Sequence, residues 1–263
     1  MWPRRHKPID EAVWVAALDA LPTLGPLDER ERARLRELSA RFIASKSIEP
    51  VRGQRLDELE LVVVAAQACL PIFAFGLAAY SSWHSIVVYP GSFVAREHVV
   101  DEAGVEHEWE EARAGESWLR GPVILSWEDI AASGQGEGYN VIIHEMAHKL
   151  DMLHGEANGR PLLHRDMDPE AWSGELNAAY ADMQRRIDAG EATPIDEYAA
   201  TDPGEFFAVA SEYFFDAPVV LDSVYPAVYK RLREFYRQDP LTRLGRPNKA
   251  YPGKLSGKKD RRK

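Results

Sequence analysis

Apolar residues return at helical intervals through three early stretches, about 10–21, about 28–45 and about 55–80. Asp28, just after Pro26, suits the N-cap of the second stretch, whose polar positions alternate in charge. From Ile86 to Trp127 the pattern changes. Runs rich in Val, Ile and aromatic residues (IVVYP, GSFVAREHVV, GVEHEWEEARA, SWLRGPVILSW) are separated by Pro90, Gly91, Gly104, Gly115 and Gly121. That punctuation predicts a small, mostly antiparallel sheet over about 86–127. A glycine-rich loop, ASGQGEG, follows; helical periodicity then resumes near Tyr139 and holds through 168–190, 203–216 and 218–237. The order predicts an α+β fold, mainly helical, with residues 1–242 as one domain: helices over about 10–80, the sheet, then helices over about 139–237.

The run Leu61–Tyr80, LVVVAAQACLPIFAFGLAAY, is long enough to span a bilayer. Pro71 and Gly76 interrupt it, Asp57, Glu58 and Glu60 precede it, and no basic cluster orients it, so a buried central helix is the expectation and no membrane span. The basic start MWPRRHKP runs into a stretch carrying Asp10, Glu11 and Asp19, unlike a secretory signal, which predicts a cytoplasmic protein.

Composition narrows the chemistry. The 263 residues are 45% hydrophobic and 28% charged, a balance that excludes a mainly disordered chain. Cys69 is the only cysteine, which excludes an intrachain disulfide and a cysteine zinc site, so any metal must be held by imidazoles and carboxylates. The net charge of −10 is unevenly spread: residues 243–263 hold nine Lys or Arg and one acidic residue, leaving 23 basic against 41 acidic side chains over residues 1–242. The acidic body argues against direct nucleic-acid binding, and the basic end reads as a flexible, solvated tail.

The chemistry concentrates in Asn140-Val-Ile-Ile-His144-Glu145-Met-Ala-His148-Lys-Leu-Asp151-Met-Leu-His154-Gly155, which contains H-E-x-x-H on a helix-forming run. Helical residues four apart lie about 40° apart around the axis and about 6 Å along it, so His144 and His148 can share one zinc ion at about 2.1 Å. Glu145, one step round, can take the proton of an attacking water. A third ligand is needed. His154 has the spacing of the third histidine in H-E-x-x-H-x-x-G-x-x-H, but Asp151 replaces the glycine that would let the chain double back. On an unbroken helix His154 lies about 9 Å past His148 and about 120° around, and reads as a last-turn residue before a Gly155 cap. Glu205 is the stronger candidate: Thr201 or Asp202 can cap a helix with Pro203 at its first position and Phe206, Val209, Ala210, Tyr213 and Phe214 on its apolar face. Glu212, seven residues on, is an alternative ligand or a carboxylate orienting a histidine.

The stretch His144-Glu-Met-Ala-His-Lys-Leu-Asp-Met-Leu-His-Gly-Glu-Ala-Asn-Gly, followed by Tyr198-Ala-x-Thr-Asp-Pro-x-Glu205-Phe-Phe-Ala-Val-x-Ser-Glu-Tyr-Phe-Phe, resembles the Mlc titration factor A family of zinc peptidases, with VYPGSFV at 88–94 and GPVILSW at 121–127 extending the likeness. The resemblance implies a zincin-like metalloprotease core similar to the catalytic domain of anthrax lethal factor. It implies one Zn2+ per chain on His144, His148 and Glu205, Glu145 as general base and Tyr198 stabilising the oxyanion. Lethal factor has a glutamate four residues after its third ligand where this chain has Val209, so the groups behind the ligands must differ; Asp151 and Glu212 are the candidates. In such peptidases an edge strand pairs with extended substrate, a role GPVILSW could fill. The implied activity is aminopeptidase-like hydrolysis of peptide or protein substrates. The implied alternative is a binding protein that sequesters a transcriptional repressor such as Mlc.

Overall fold

The computed structural model describes residues 7–91, 99–100, 106–107 and 121–244. Helix α1 (Glu11–Ala20) is capped by Asp10 and buries Trp14 and Ala17. Helix α2 (Glu29–Ser45) begins where expected: the Asp28 carboxylate accepts the Glu31 N–H while Glu31 reaches back to the Asp28 N–H, a capping box that satisfies two of the helix's free donors. The same device opens α3 (Glu58–Cys69), with Asp57 and Glu60 as partners.

Helix α3 corrects the expectation of one helix over 55–80. It stops at Cys69; residues 70–75 turn back, and a 3-10 turn, Leu77–Tyr80, follows Gly76 at φ +70. Pro71 brings no N–H, which ends the hydrogen-bond ladder. The run is buried all the same, with Val62, Val64 to Cys69, Ile72 and Tyr80 in the core. Among the described residues no helix is long and apolar enough to cross a membrane.

The sheet corrects a second expectation. Strands β1 (Ser47–Pro50), β2 (Ser85–Tyr89) and β5 (Val123–Ser126) form a three-stranded sheet in that order, and both pairings are parallel. The short SIEP strand carries no apolar alternation to announce it, and because α3 lies between β1 and β2 the chain returns to the same end of the sheet, which makes the pair parallel. Among the described residues, antiparallel pairing is confined to β3 (Val99–Val100) with β4 (Glu106–His107). The rest of the predicted strand runs between 92 and 120, and residues 245–263 of the basic tail, lie outside the described residues.

Ser126 caps a short helix, α4 (Trp127–Ala132), and the glycine-rich loop then leads into α5 (Val141–Asp151), the helix of the H-E-x-x-H motif. Helices α6 (Pro169–Asp188) and α7 (Pro203–Asp216) match their predicted spans closely. The expected helix 218–237 is two, α8 (Pro218–Val224) and α9 (Pro226–Tyr236), because Pro226 excludes Tyr225 from helical geometry. A last helix, α10 (Pro240–Leu244), uses the first two residues assigned to the tail. Helix α7 packs against α5, and it is buried nearly all round rather than along one stripe: Phe206 to Ala210, Phe214 and Phe215 are at most 4% exposed.

Candidate active site

Two helices meet at the site. The Asn140 side chain accepts the Ile143 N–H at 3.0 Å and so starts α5 at Val141, three residues before the motif. Asp202 accepts the N–H groups of Gly204 and Glu205 at 2.7 and 2.9 Å, with Pro203 at the first helical position, so Glu205 stands in the first turn of α7. Pressed together, the helices bring three ligand atoms within reach of one another. His144 Nε2 lies 3.1 Å from His148 Nε2 and 3.0 Å from Glu205 Oε2, which lies 3.4 Å from His148 Nε2.

The field at this point favours a cation. Burial works against charge on His144, but hydrogen bonds with Glu205 and Glu212 outweigh it and push its pKa up to about 10. Burial likewise opposes ionisation of Glu205, yet His144 and His148 hold its carboxyl well below the usual range. Tyr198, in a 3-10 turn (Glu197–Ala200) capped by Asp196, sets its ring centroid 6.0 Å from that of His144 and is hydrogen-bonded to Glu205. Burial first, and Glu205 second, push its phenol up to about 12.

A family model described as glucose-regulated metallo-peptidase M90 matches residues 2–237. The chain belongs to this family. The M90 chain is 43% identical over 234 residues to the Mlc titration factor A of Cronobacter sakazakii, covering 88% of each. It is 42% identical over 246 residues to that of Enterobacter sp., covering 92% of each, and 42% identical over 249 residues to that of Salmonella arizonae, covering 92% of this chain and 98% of the relative.

A metallopeptidase implies a metal, and the residues of this M90 member fit one. Glu205 Oε2 is buried, and what faces it is a pair of imidazole nitrogens at 3.0 and 3.4 Å. A tetrahedral ion with bonds of about 2.1 Å spaces its ligands about 3.4 Å apart. Separations of 3.0, 3.1 and 3.4 Å suit that arrangement after small outward shifts. Among the described residues, His144, His148 and Glu205 form the group able to hold an ion.

The other sequence candidates take different places. His154 closes a 3-10 turn (Met152–His154) before Gly155, is exposed, and stands outside the cluster. Asp151 faces a loop: its Oδ2 accepts the Gly159 N–H at 2.7 Å, and Oδ1 is buried without a partner among the described residues. Gly159 in turn accepts the Trp172 indole N–H at 2.9 Å, and a Cβ on it would lie 2.6 Å from the Pro203 carbonyl, so glycine permits the close approach of this loop to the start of α7. Glu212 touches His144 directly, with Oε1 2.8 Å from Nδ1. The strand β5 ends the described sheet, with Ile124 exposed.

Three further residues, to which the sequence pattern assigns no role at the site, support it. Asp216 accepts the N–H groups of Gly136 and Gly138 and the Thr23 hydroxyl, tying the glycine-rich loop to α7. Gln67 Oε1 accepts from Asn140 Nδ2 at 2.7 Å. Gln67 did carry a signal, being the clearly polar side chain within the apolar run 61–80. Asn140 carried the ordinary signal of an N-cap.

Proposed function

We propose that this chain is a zinc-dependent peptidase of zincin-like design, aminopeptidase-like in activity, with His144, His148 and Glu205 holding one Zn2+. The convergence of those three ligand atoms beside the Glu145 position carries the reading, and membership of a metallopeptidase family supports it. Zinc in this position would supply a Lewis acid for the scissile carbonyl and lower the pKa of the attacking water. Glu145, one residue from His144 and on the neighbouring face of α5, takes the proton of that water and returns it to the leaving amine. Tyr198 keeps its proton well above neutral pH, so its hydroxyl is available to donate to the developing oxyanion.

The test pairs metal analysis with hydrolysis of small aminoacyl amides and peptides. Glu145→Gln should keep about one zinc per chain and lose hydrolysis by about 10²- to 10⁴-fold, the range for removing a general base. Glu205→Gln should weaken zinc binding itself. Wild-type zinc content in Glu205→Gln refutes its ligand role, and undiminished hydrolysis by Glu145→Gln refutes the mechanism.

The name shared by the relatives, Mlc titration factor A, supports a second reading: a partner that binds a transcriptional repressor such as Mlc. The two readings separate cleanly, since repressor binding by Glu145→Gln should survive while hydrolysis is lost.

A further inference from the structure

Helix α7 presents Glu205, Glu212 and Asp216 toward α5 and the loop before it, and Glu212 is the one with no solvent exposure. A carboxylate withdrawn from water is tolerated when donors saturate it. Glu212 Oε2 accepts the Asn140 backbone N–H at 2.6 Å, and Oε1 lies 2.8 Å from His144 Nδ1. Asn140 is itself clamped, accepting the Ile143 N–H and donating to Gln67. One carboxylate therefore ties the start of the motif helix to the first histidine of the motif.

An ionised carboxylate can only accept, so the imidazole proton must sit on Nδ1, and in the neutral ring this leaves the Nε2 lone pair free. That lone pair faces His148 Nε2 and Glu205 Oε2. We propose that Glu212 is the positioning residue of the metal site, locking His144 in the one tautomer and ring orientation able to bind a divalent cation through Nε2. The inference rests on the reading of His144, His148 and Glu205 as ligands. His148 has no equivalent lock: its Nδ1 is buried without a hydrogen-bond partner among the described residues. The control over the site is thus lopsided, exerted on the more deeply buried histidine.

Glu212→Gln is the informative change because it keeps the shape and removes one acceptor. An amide offers one oxygen and one NH2 to two donors. The Asn140 N–H belongs to the backbone and cannot reverse, so the amide oxygen stays with it and the NH2 turns to His144. The ring then accepts at Nδ1, its proton moves to Nε2, and the metal position is blocked.

Chelator competition on the full chain should show zinc bound about 10- to 100-fold more weakly by Glu212→Gln than by wild type, the usual effect of losing a carboxylate behind a metal-bound histidine. In nitrogen-15 NMR of the zinc-loaded wild type, His144 should show a slowly exchanging Nδ1–H proton that Glu212→Gln lacks. A merely structural role would lower the metal-free melting temperature while leaving affinity and the Nδ1–H signal in place, and that result overturns the proposal. Should Glu212→Gln not fold, the wild type decides, because zinc held through His144 Nδ1, or a loaded ring without the Nδ1–H proton, also overturns it. Unchanged zinc binding in both His144→Ala and His148→Ala is a different failure, that of the ligand reading beneath.

Discussion

Replacing Tyr198 by Phe removes one hydroxyl and little else. The residue is 40% exposed, in a short 3-10 turn whose cap is the Asp196 side chain, so neither core packing nor backbone hydrogen bonding depends on the oxygen. Folding stability should stay within about 0.5 kcal/mol of wild type, the usual range for exposed positions. Catalysis should respond far more strongly. Loss of a single oxyanion donor costs about 10²- to 10³-fold in kcat, or about 2.7–4 kcal/mol of transition-state stabilisation. Because the donation strengthens as charge develops, the loss should appear in kcat with KM little changed. The pH profile adds a check on sign. A phenol raised to about 12 remains a donor throughout the working range, so no alkaline decline below about pH 10 should be assignable to Tyr198, and wild type and Tyr198→Phe should run parallel there. Steady-state kinetics on an aminoacyl amide, beside zinc content, decides the matter. Equal kcat in both proteins refutes the oxyanion role. A fall in kcat matched by a fall in zinc content refutes it differently, since Tyr198 would then be acting through its hydrogen bond to Glu205.

Two further predictions concern the frame around the site. Gly138 has φ +80, and a Cβ there would lie 2.5 Å from the Tyr213 ring. Gly138→Ala should therefore lose the roughly 1–2 kcal/mol of left-handed backbone strain plus the cost of moving the ring, lowering the melting temperature by about 2–8 °C or more; an unchanged melting curve refutes the close-packing argument. Lys46 lies 4.0 Å from the Trp83 ring centroid and donates to the carbonyls of Tyr80 and Trp83, yet burial, aided by Lys149, brings its pKa down to about 8. With the free lysine near about 10.4, the unfolded chain binds the proton more tightly between these values, so this residue makes stability rise with pH from about 8 toward about 10. Urea titrations of Lys46→Met at pH 8 and 9.5 should show a smaller rise than wild type; an identical rise in both removes Lys46 as its source.

Local signals in the chain carried most of the helical architecture. Asp28 and Asp57 each begin a helix because a short carboxylate three residues before a glutamate satisfies free N–H groups, whatever the tertiary context. The H-E-x-x-H spacing likewise determines how His144 and His148 face one another. What stayed hidden was non-local. Strand β1 is four residues of SIEP, mostly exposed, and its identity as a strand comes from pairing with Ile86 and its neighbours across α3. Apolar composition over 61–80 correctly announced burial but not shape: Pro71 and Gly76 were visible as interruptions, but the turn they make after Cys69 was not. Glu212 was legible as an alternative ligand or a carboxylate orienting a histidine; which of the two it is depends on Asn140 and His144, about 70 positions earlier.

That distance explains how stability and chemistry come to share residues here. An amphipathic surface helix can place its carboxylates in water, but α7 is enclosed, and two of its acidic groups, Glu212 at 0% and Asp216 at 6% exposure, must find donors inside. The donors are backbone N–H groups of the glycine-rich loop and of the start of α5, the Thr23 hydroxyl and one imidazole N–H. Each carboxylate that satisfies this demand also fixes the loop and helix that carry His144. A substitution that relieves the buried charges without replacing their acceptors would leave those N–H groups unpaired, at about 1–3 kcal/mol each, and free the histidine to turn. Substitutions in this part of α7 should therefore change melting temperature and zinc affinity together, whereas changes at Tyr198 or Glu145, which lie outside the network, should change catalysis alone.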